Sequence, residues 1–558
     1  MNTGSFTPKL ITALREGYTF GAFRADAIAG VTVAIVALPL AMALGIASGA
    51  SPDKGLITAV VAGLLISALG GSRVQVGGPT GAFVVVIFNV IAQHGYDGLL
   101  IATLLAGLIL IAAGVFRLGQ LIKFIPHPVV TGFTAGIAVI IATTQVQDFF
   151  GLAIADVPAE FVPRWQAYFT AMSSVSWATL GVGVAALATI IVLRRLAPKL
   201  PGFLIAVVVS SVAVIVLELP VDTIGSRFPD MPAGLPMPSF PEISLVKITA
   251  VLPAAFTIAF LAGIEALLSA VVADGMTGTR HRSNQELIGQ GIANLGSALF
   301  GGLPATGAIA RTATNIRAGG KTPVAGILHA VFLLLFILFG ADLMAFVPMA
   351  ALAAILFMVA WGMSEYERFL ALLRMPGSDR IVLLLTFGLT VLVDLTVAIG
   401  VGVTLASLLF MARMAEAFEV DTSGRQDIDL DDEDADQRDS LPEGVEVFRV
   451  NGPFFFGVAG ELLTTLRNVG ASSRVIILRM KLVPLLDASG LRALEEFVEQ
   501  AHIVGARVIL SGLRSQPRSM LEQVELGRGS SEVFYAADFA TAQTLAVDLI
   551  EQSETPTQ

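Results

Sequence analysis

The chain has 558 residues, of which 55% are hydrophobic and only 14% charged, and its mean hydropathy is +0.80. Soluble domains carry about 25% charged residues, so these values exclude a soluble enzyme and identify a polytopic membrane protein. Lack of cysteine excludes disulfides, thiolate metal sites and cysteine nucleophiles, and the net charge of −10 sits largely in one acidic run, which speaks against a nucleic-acid partner.

The N-terminal stretch places Arg15, Glu16, Arg24 and Asp26 ahead of the first apolar run. That order is unlike a cleavable signal peptide and closer to an interfacial amphipathic helix. Fourteen apolar segments follow, at 27–47, 54–70, 80–94, 98–115, 126–147, 172–193, 202–219, 248–273, 286–300, 305–316, 323–339, 344–362, 380–393 and 396–415. The tenth is the shortest, and the third and tenth each start directly after a proline. Irregular backbone at membrane depth is tolerated only inside protein or along a cavity. With the N-terminus inside, the inner connections collect Arg73, Arg117, Lys123, Arg194, Arg195, Lys199, Arg280, Arg282, Arg317, Lys321, Arg368, Arg374 and Arg380, while the outer ones hold only Lys54, Arg164, Arg227 and Lys247. This is the positive-inside bias, and an even number of spans returns the C-terminus to the cytoplasm.

An internal repeat runs through these segments. Gly55–Gly71 (GLITAVVAGLLISALGG) matches Glu286–Gly302 (ELIGQGIANLGSALFGG), Gly77–Ala82 (GGPTGA) matches Gly301–Ala308 (GGLPATGA), and Lys123–Pro126 (KFIP) matches Ala345–Pro348 (AFVP). Each half then has seven segments, an odd number, so the halves are expected to be inverted, at about 22–220 and 245–418.

Pro79-Thr80-Gly81-Ala82 and Pro304-Ala305-Thr306-Gly307 are each expected to open a short helix inside the membrane. The first turn of a helix has unpaired N–H groups and about half a positive charge. Two such ends facing each other would hold an anion without any side chain, and Gly81 and Gly307 would let it approach the backbone. The plainer reading is that Gly and Pro kink packed helices.

Glu265 is the only ionisable side chain between Ile248 and Ala273. A mid-bilayer carboxylate costs about 2.5–3.5 kcal/mol on insertion scales, which points to a working acid. It could carry a coupling proton, ligate Na+ with Ser269 and carbonyls near Thr306, or be structural. Arg311 follows Gly307 by four residues, about one helical turn, and would bring a guanidinium suited to a bidentate oxyanion. Its alternatives are an ion pair with Glu265 or snorkelling to the cytoplasmic surface. His127 and His329 read as hydrogen-bonded packing residues, and Asp394 as a loop or helix-end acid.

Residues 421–440 carry nine acids against two arginines, the composition of a solvated linker. Beyond it, VEVFRV, VIILRM and ARVILSG read as strands, and LRALEEFVEQAHIVG and AQTLAVDLIEQ as helices, of one soluble α/β domain. The expected division is a transport domain at 1–420, a linker at 421–442, the α/β domain at 443–552 and a tail at 553–558.

Asp26–Gly49 (DAIAGVTVAIVALPLAMALGIASG), Gly71–Phe83 (GSRVQVGGPTGAF) and the stretch Asp274–Gly326 resemble the sulfate permease (SulP) family of anion transporters. Val483–Phe497 (VPLLDASGLRALEEF) resembles that family's C-terminal STAS domain, itself similar to anti-sigma-factor antagonists. The resemblance implies core and gate domains like those of uracil permeases, a homodimer and elevator-type movement. It implies an anion site made by Thr80, Gly81, Ala82 and Phe83 with Thr306, Gly307 and Ala308, and gives Arg311 the place of the family's site arginine. Ser489 takes the place of the antagonists' phosphorylatable serine, which implies a cytoplasmic regulatory partner. Members that carry bicarbonate with Na+ have Asp at the position of Glu265 and lack the arginine, so the resemblance puts proton symport or anion exchange ahead of Na+ coupling.

The expected function is secondary active transport of a dicarboxylate, sulfate or bicarbonate by proton-coupled symport across the cell inner membrane, with the N-terminus and STAS domain cytoplasmic. No enzyme activity, cofactor or metal is expected. The alternatives are anion exchange, an uncoupled channel or Na+-coupled bicarbonate symport. A channel needs no membrane-buried acid, and a nucleobase permease on the same fold is disfavoured by Arg311 and the STAS domain.

Overall fold

The computed structural model describes residues 6–120, 126–155, 157–198, 200–229, 234–375, 377–416, 419–421, 441–455, 473–524 and 533–554. The acidic run from 422 to 440, Lys123 and Lys199 lie outside them. The chain divides into two compact units, 1–404 and 405–558.

In chain order the first unit contains α1 (Lys9–Arg15), α2 (Phe20–Ala47), α3 (Pro52–Leu69), β1 (Gly77–Gly78), α4 (Val84–Val115), α5 (His127–Phe150), α6 (Phe161–Thr170), α7 (Trp177–Leu196), α8 (Gly202–Val216) and α9 (Ile224–Arg227). It continues with α10 (Leu245–Thr277), α11 (Ser283–Leu299), β2 (Thr306–Gly307), α12 (Ile309–Arg317), α13 (Val324–Met344), α14 (Met349–Met363), α15 (Tyr366–Leu373) and α16 (Gly377–Leu392). The division between the units falls within α17 (Leu395–Glu416).

Among the described residues, eight helices are long and apolar enough to cross a membrane. This corrects the expected fourteen crossings. Each apolar segment does meet a helix, but several are too short: α12 has 9 residues and α8 has 15, whereas about 20 are needed to span the hydrocarbon at 1.5 Å per residue. The third and fourth segments form one run through α4, broken where Gly95 takes a φ of +70°.

The helices pack as two groups. α4 lies against α10 and α11, α3 against α11 and α13, and α13 against α2; separately, α5 lies against α14 and α16, and α14 against α7. Small residues set the spacing in the first group. A Cβ on Gly107 of α4 or Gly291 of α11 would overlap the other residue's carbonyl oxygen, so the two backbones touch. Outer helices instead present apolar side chains outward, as α8 does with Val208, Val209, Val212 and Ile215, which suits a lipid surface.

The second unit contains a five-stranded sheet in the order β3 (Glu419–Asp421), β4 (Val445–Asn451), β5 (Val475–Leu482), β6 (Arg507–Ser511), β7 (Val533–Ala536). β3 is antiparallel to β4 and the other pairs are parallel. Alternation along β5 sorts the two cores: Ile476, Leu478 and Met480 face α18 (Ala488–Ile503) and α19 (Ser515–Gln523), whereas Val475 and Ile477 face α20 (Phe539–Glu554). Asp487 caps α18, its carboxylate accepting from the Gly490 amide at 2.7 Å, and Ser489 is exposed in the first turn of that helix.

Candidate functional site

The two proline-glycine motifs meet. β1 and β2 pair antiparallel, Gly77 opposite Gly307 and Gly78 opposite Thr306. Thr80 then stands at the N-cap of a 3-10 turn, Gly81–Phe83, that leads into α4. Ala308 stands at the N-cap of α12. Neither cap carries a side-chain hydrogen bond, so the first-turn N–H groups of both helices have no side-chain partner at the cap.

One expectation is corrected here. Thr306 and Gly307 form a strand rather than open a helix, because their backbone pairs with Gly77 and Gly78; the helix begins only at Ile309. Sequence-similar residues are therefore offset, and Gly307 pairs across the crossing with Gly77 while Gly81 lies in a helical turn. Gly81 approaches the other helix group, since a Cβ there would stand 2.6 Å from Met363 Sδ and 3.1 Å from Ile141 Cδ1. Ala82, Phe83, Thr306 and Gly307 are buried.

Arg311, in the first turn of α12, is 2% exposed. Its guanidinium folds back on the crossing, Nη1 donating to the Gly77 carbonyl at 3.4 Å and Nη2 to the Pro79 carbonyl at 3.2 Å. Gly78, with φ +152°, leaves the room it occupies. Among the described residues Arg311 makes no ion pair with Glu265. Glu265 sits partly buried mid-way along α10 and has no hydrogen-bond or ion-pair partner there. One turn on, the Ser269 hydroxyl bonds Thr312 Oγ1 at 3.1 Å, and Thr312 Oγ1 also accepts from the Val76 amide at 3.1 Å. Thr306 Oγ1 donates to the Ala262 carbonyl at 2.8 Å, fastening β2 to α10 beside Glu265.

His127 Nδ1 is 3.3 Å from Thr131 Oγ1. His329 departs from its expected role, since it is fully buried and neither ring nitrogen has a hydrogen-bond partner. Asp394 acts at a helix end, accepting from the Thr396 and Val397 amides at the start of α17.

Two acids and an amide escaped the sequence reading. Glu286 is fully buried in the first turn of α11 and accepts from the Gly71 amide at 2.7 Å, the Ser72 amide at 3.0 Å and Gln290 Nε2 at 2.8 Å. Asp26 is equally buried and accepts from the Lys321 and Thr322 amides, Thr322 Oγ1 and Tyr18 Oη. Gln75 lies over Gly307, where a Cβ would strike its amide. Both acids stand where a polar break meets an apolar run, which was the available signal; Gln75 gave none.

Membrane-length helices around a crossing of two interrupted segments, with two helix starts and a buried arginine beside it, are an arrangement suited to a secondary transporter for anions. The chain belongs to the sulfate permease family, whose profile matches residues 23–386, and a STAS domain matches residues 440–540. It is 41% identical over 513 residues, 92% of this chain and 95% of the relative, to a Bacillus subtilis protein named "Putative sulfate transporter YvdB". It is 33% identical over 525 residues, 91% of this chain and 92% of the relative, to the bicarbonate transporter BicA of Picosynechococcus. Among solved structures, the transmembrane domain of a cyanobacterial BicA matches with a TM-score of 0.61 and 31% identity, covering 70% of this chain and 98% of that one. The murine Solute Carrier 26 family member A9 anion transporter shares the fold, with a TM-score of 0.86 at 17% identity over 98% of this chain and 95% of that one. Membership makes this chain a multi-pass membrane transporter of small anions and not an enzyme.

Proposed function

We propose that the chain carries a small oxyanion of the bicarbonate and sulfate class, bound between the helix starts at Thr80–Phe83 and Ala308–Arg311. The observation that carries this reading is the β1–β2 crossing, which brings both starts and the Arg311 guanidinium together. Thr306 and Gly307 hold the crossing, and backbone N–H groups with the guanidinium supply the charge complement. The α4–α10–α11–α3–α13–α2 group then serves as core and the α5–α14–α16–α7 group as gate, each built from helices of both inverted halves, and the two move as an elevator in a homodimer. The division at 1–420, 421–442 and 443–552, and a cytoplasmic regulatory STAS domain with Ser489 exposed, go with this proposal.

The partnerless Glu265 is the coupling group. Proton symport, the first expectation, has less behind it than its alternatives, because relatives named as bicarbonate transporters match nearly the whole chain. Coupling through Glu265 is then by Na+ or by a proton, and the driving gradients below separate the two. Anion exchange is the second reading, favoured by the Ser269 hydroxyl being engaged with Thr312 rather than free for a cation. Uptake of radiolabelled bicarbonate, sulfate and succinate into proteoliposomes, driven in turn by Na+, a proton gradient or trapped anion, tests the proposal. Uptake of none of the three anions above empty liposomes would overturn it.

A further inference from the structure

Behind the crossing, toward α3 and α13, polar side chains are buried without partners. They are both ring nitrogens of His329, both amide atoms of Gln75, Ser67 Oγ and Arg311 Nε, on residues no more than 3% exposed. They border the crossing: a Cβ on Gly307 would strike the Gln75 amide and one on Gly78 the Arg311 guanidinium. A Cβ on Gly63 of α3 would stand 3.2 Å from the Gly77 carbonyl oxygen and 3.9 Å from His329 Nδ1. A Cβ on Gly326 of α13 would strike Ser67 Oγ and stand 3.5 Å from the Gln75 carbonyl oxygen. The Gly77 carbonyl is the one that accepts from Arg311 Nη1.

Each buried polar group left unpaired costs about 1–3 kcal/mol, so packing alone does not account for such a cluster. An internal water typically makes about 2–4 hydrogen bonds to groups of this kind. The residue types fit a water-bridged network: the guanidinium only donates, so a water at Nε accepts there and must pass its own hydrogens on. Gln75 Oε1 and an unprotonated nitrogen of His329 can take them, and the hydroxyl of Ser67 can both accept and donate.

We propose that Gln75, His329 and Ser67 hold ordered water behind the crossing and through it position Arg311 for the anion. They are positioning residues, and the inference rests on the reading that Arg311 takes part in binding.

The test is uptake of radiolabelled sulfate and bicarbonate by full-length Gln75→Met, His329→Leu and His329→Gln in proteoliposomes, each with Arg311 and with Arg311→Ala. Gln75→Met and His329→Leu should raise KM about tenfold, the equivalent of one such hydrogen bond, with the maximal rate little changed. His329→Gln should restore most of the affinity, and no further rise should appear once Arg311 is gone. An unchanged KM, or an equal rise with and without Arg311, overturns the inference. Should an apolar variant not fold, Gln75→Asn and His329→Asn keep the polarity and shorten the reach. A KM unchanged in both would overturn it equally. An unchanged KM in Arg311→Ala alone would instead remove the site reading beneath it.

Discussion

Gly78→Ala asks whether the strand crossing and the guanidinium form one site. Gly78 has a φ of +152°, and a Cβ there would overlap Arg311 Nη1 while standing 3.5 Å from Ala59 Cα. A side chain held in that backbone region costs about 1–3 kcal/mol. The α3 backbone bounds the other side, so the guanidinium is what must move, leaving the carbonyls of Gly77 and Pro79. The lost charge-assisted hydrogen bond to the anion is worth about 1.5–3 kcal/mol, or about ten- to a hundredfold in affinity. Calorimetric titration of sulfate and bicarbonate into the purified protein reads this directly, with thermal unfolding recorded in parallel. In an Arg311→Ala background the same substitution should cost little further affinity. Parent-like binding by Gly78→Ala, or an equal loss with and without Arg311, would show that the crossing and the guanidinium do not form one site.

Three other outcomes are expected. Arg311→Ala should weaken oxyanion binding about ten- to a hundredfold in a protein that still inserts; unchanged affinity by calorimetry would leave the backbone ends as the whole site. Glu286→Ala strips the Gly71 and Ser72 amides and Gln290 of their acceptor and should destabilise by about 3 kcal/mol or more, read as a lower midpoint of thermal unfolding in detergent, with Glu286→Gln milder. A parent-like midpoint for Glu286→Ala would show that water replaces the carboxylate at no cost. Truncation from Glu443 onward should leave the membrane unit folded, since the STAS sheet has its own cores; aggregation on size exclusion would contradict this.

Features that depend on local chemistry were legible in the sequence. The strand at β5, the helix start at Thr80 after Pro79, and the isolated acid at Glu265 are all set by neighbours in the chain. Features made by distant pairing were not. Thr306 and Gly307 look like a helix start until Gly77 and Gly78 pair with them. Glu286 and Asp26 look like surface acids until the amides of Gly71 and Ser72, and of Lys321 and Thr322, close on them. Counting apolar segments overstated the crossings, because hydropathy does not show that α12 stops after 9 residues. His329 could be read only as a buried histidine; that its nitrogens lack partners follows from where α3 and β1 lie.

The most direct test of the account compares the parent protein with Glu265→Gln in the same proteoliposomes, measuring gradient-driven accumulation and anion exchange of whichever oxyanion the parent carries. The neutral amide keeps the side chain's size and cannot load or release a coupling cation. Exchange should survive while accumulation driven by Na+ or by a proton gradient is lost. Accumulation by Glu265→Gln equal to the parent's would contradict this.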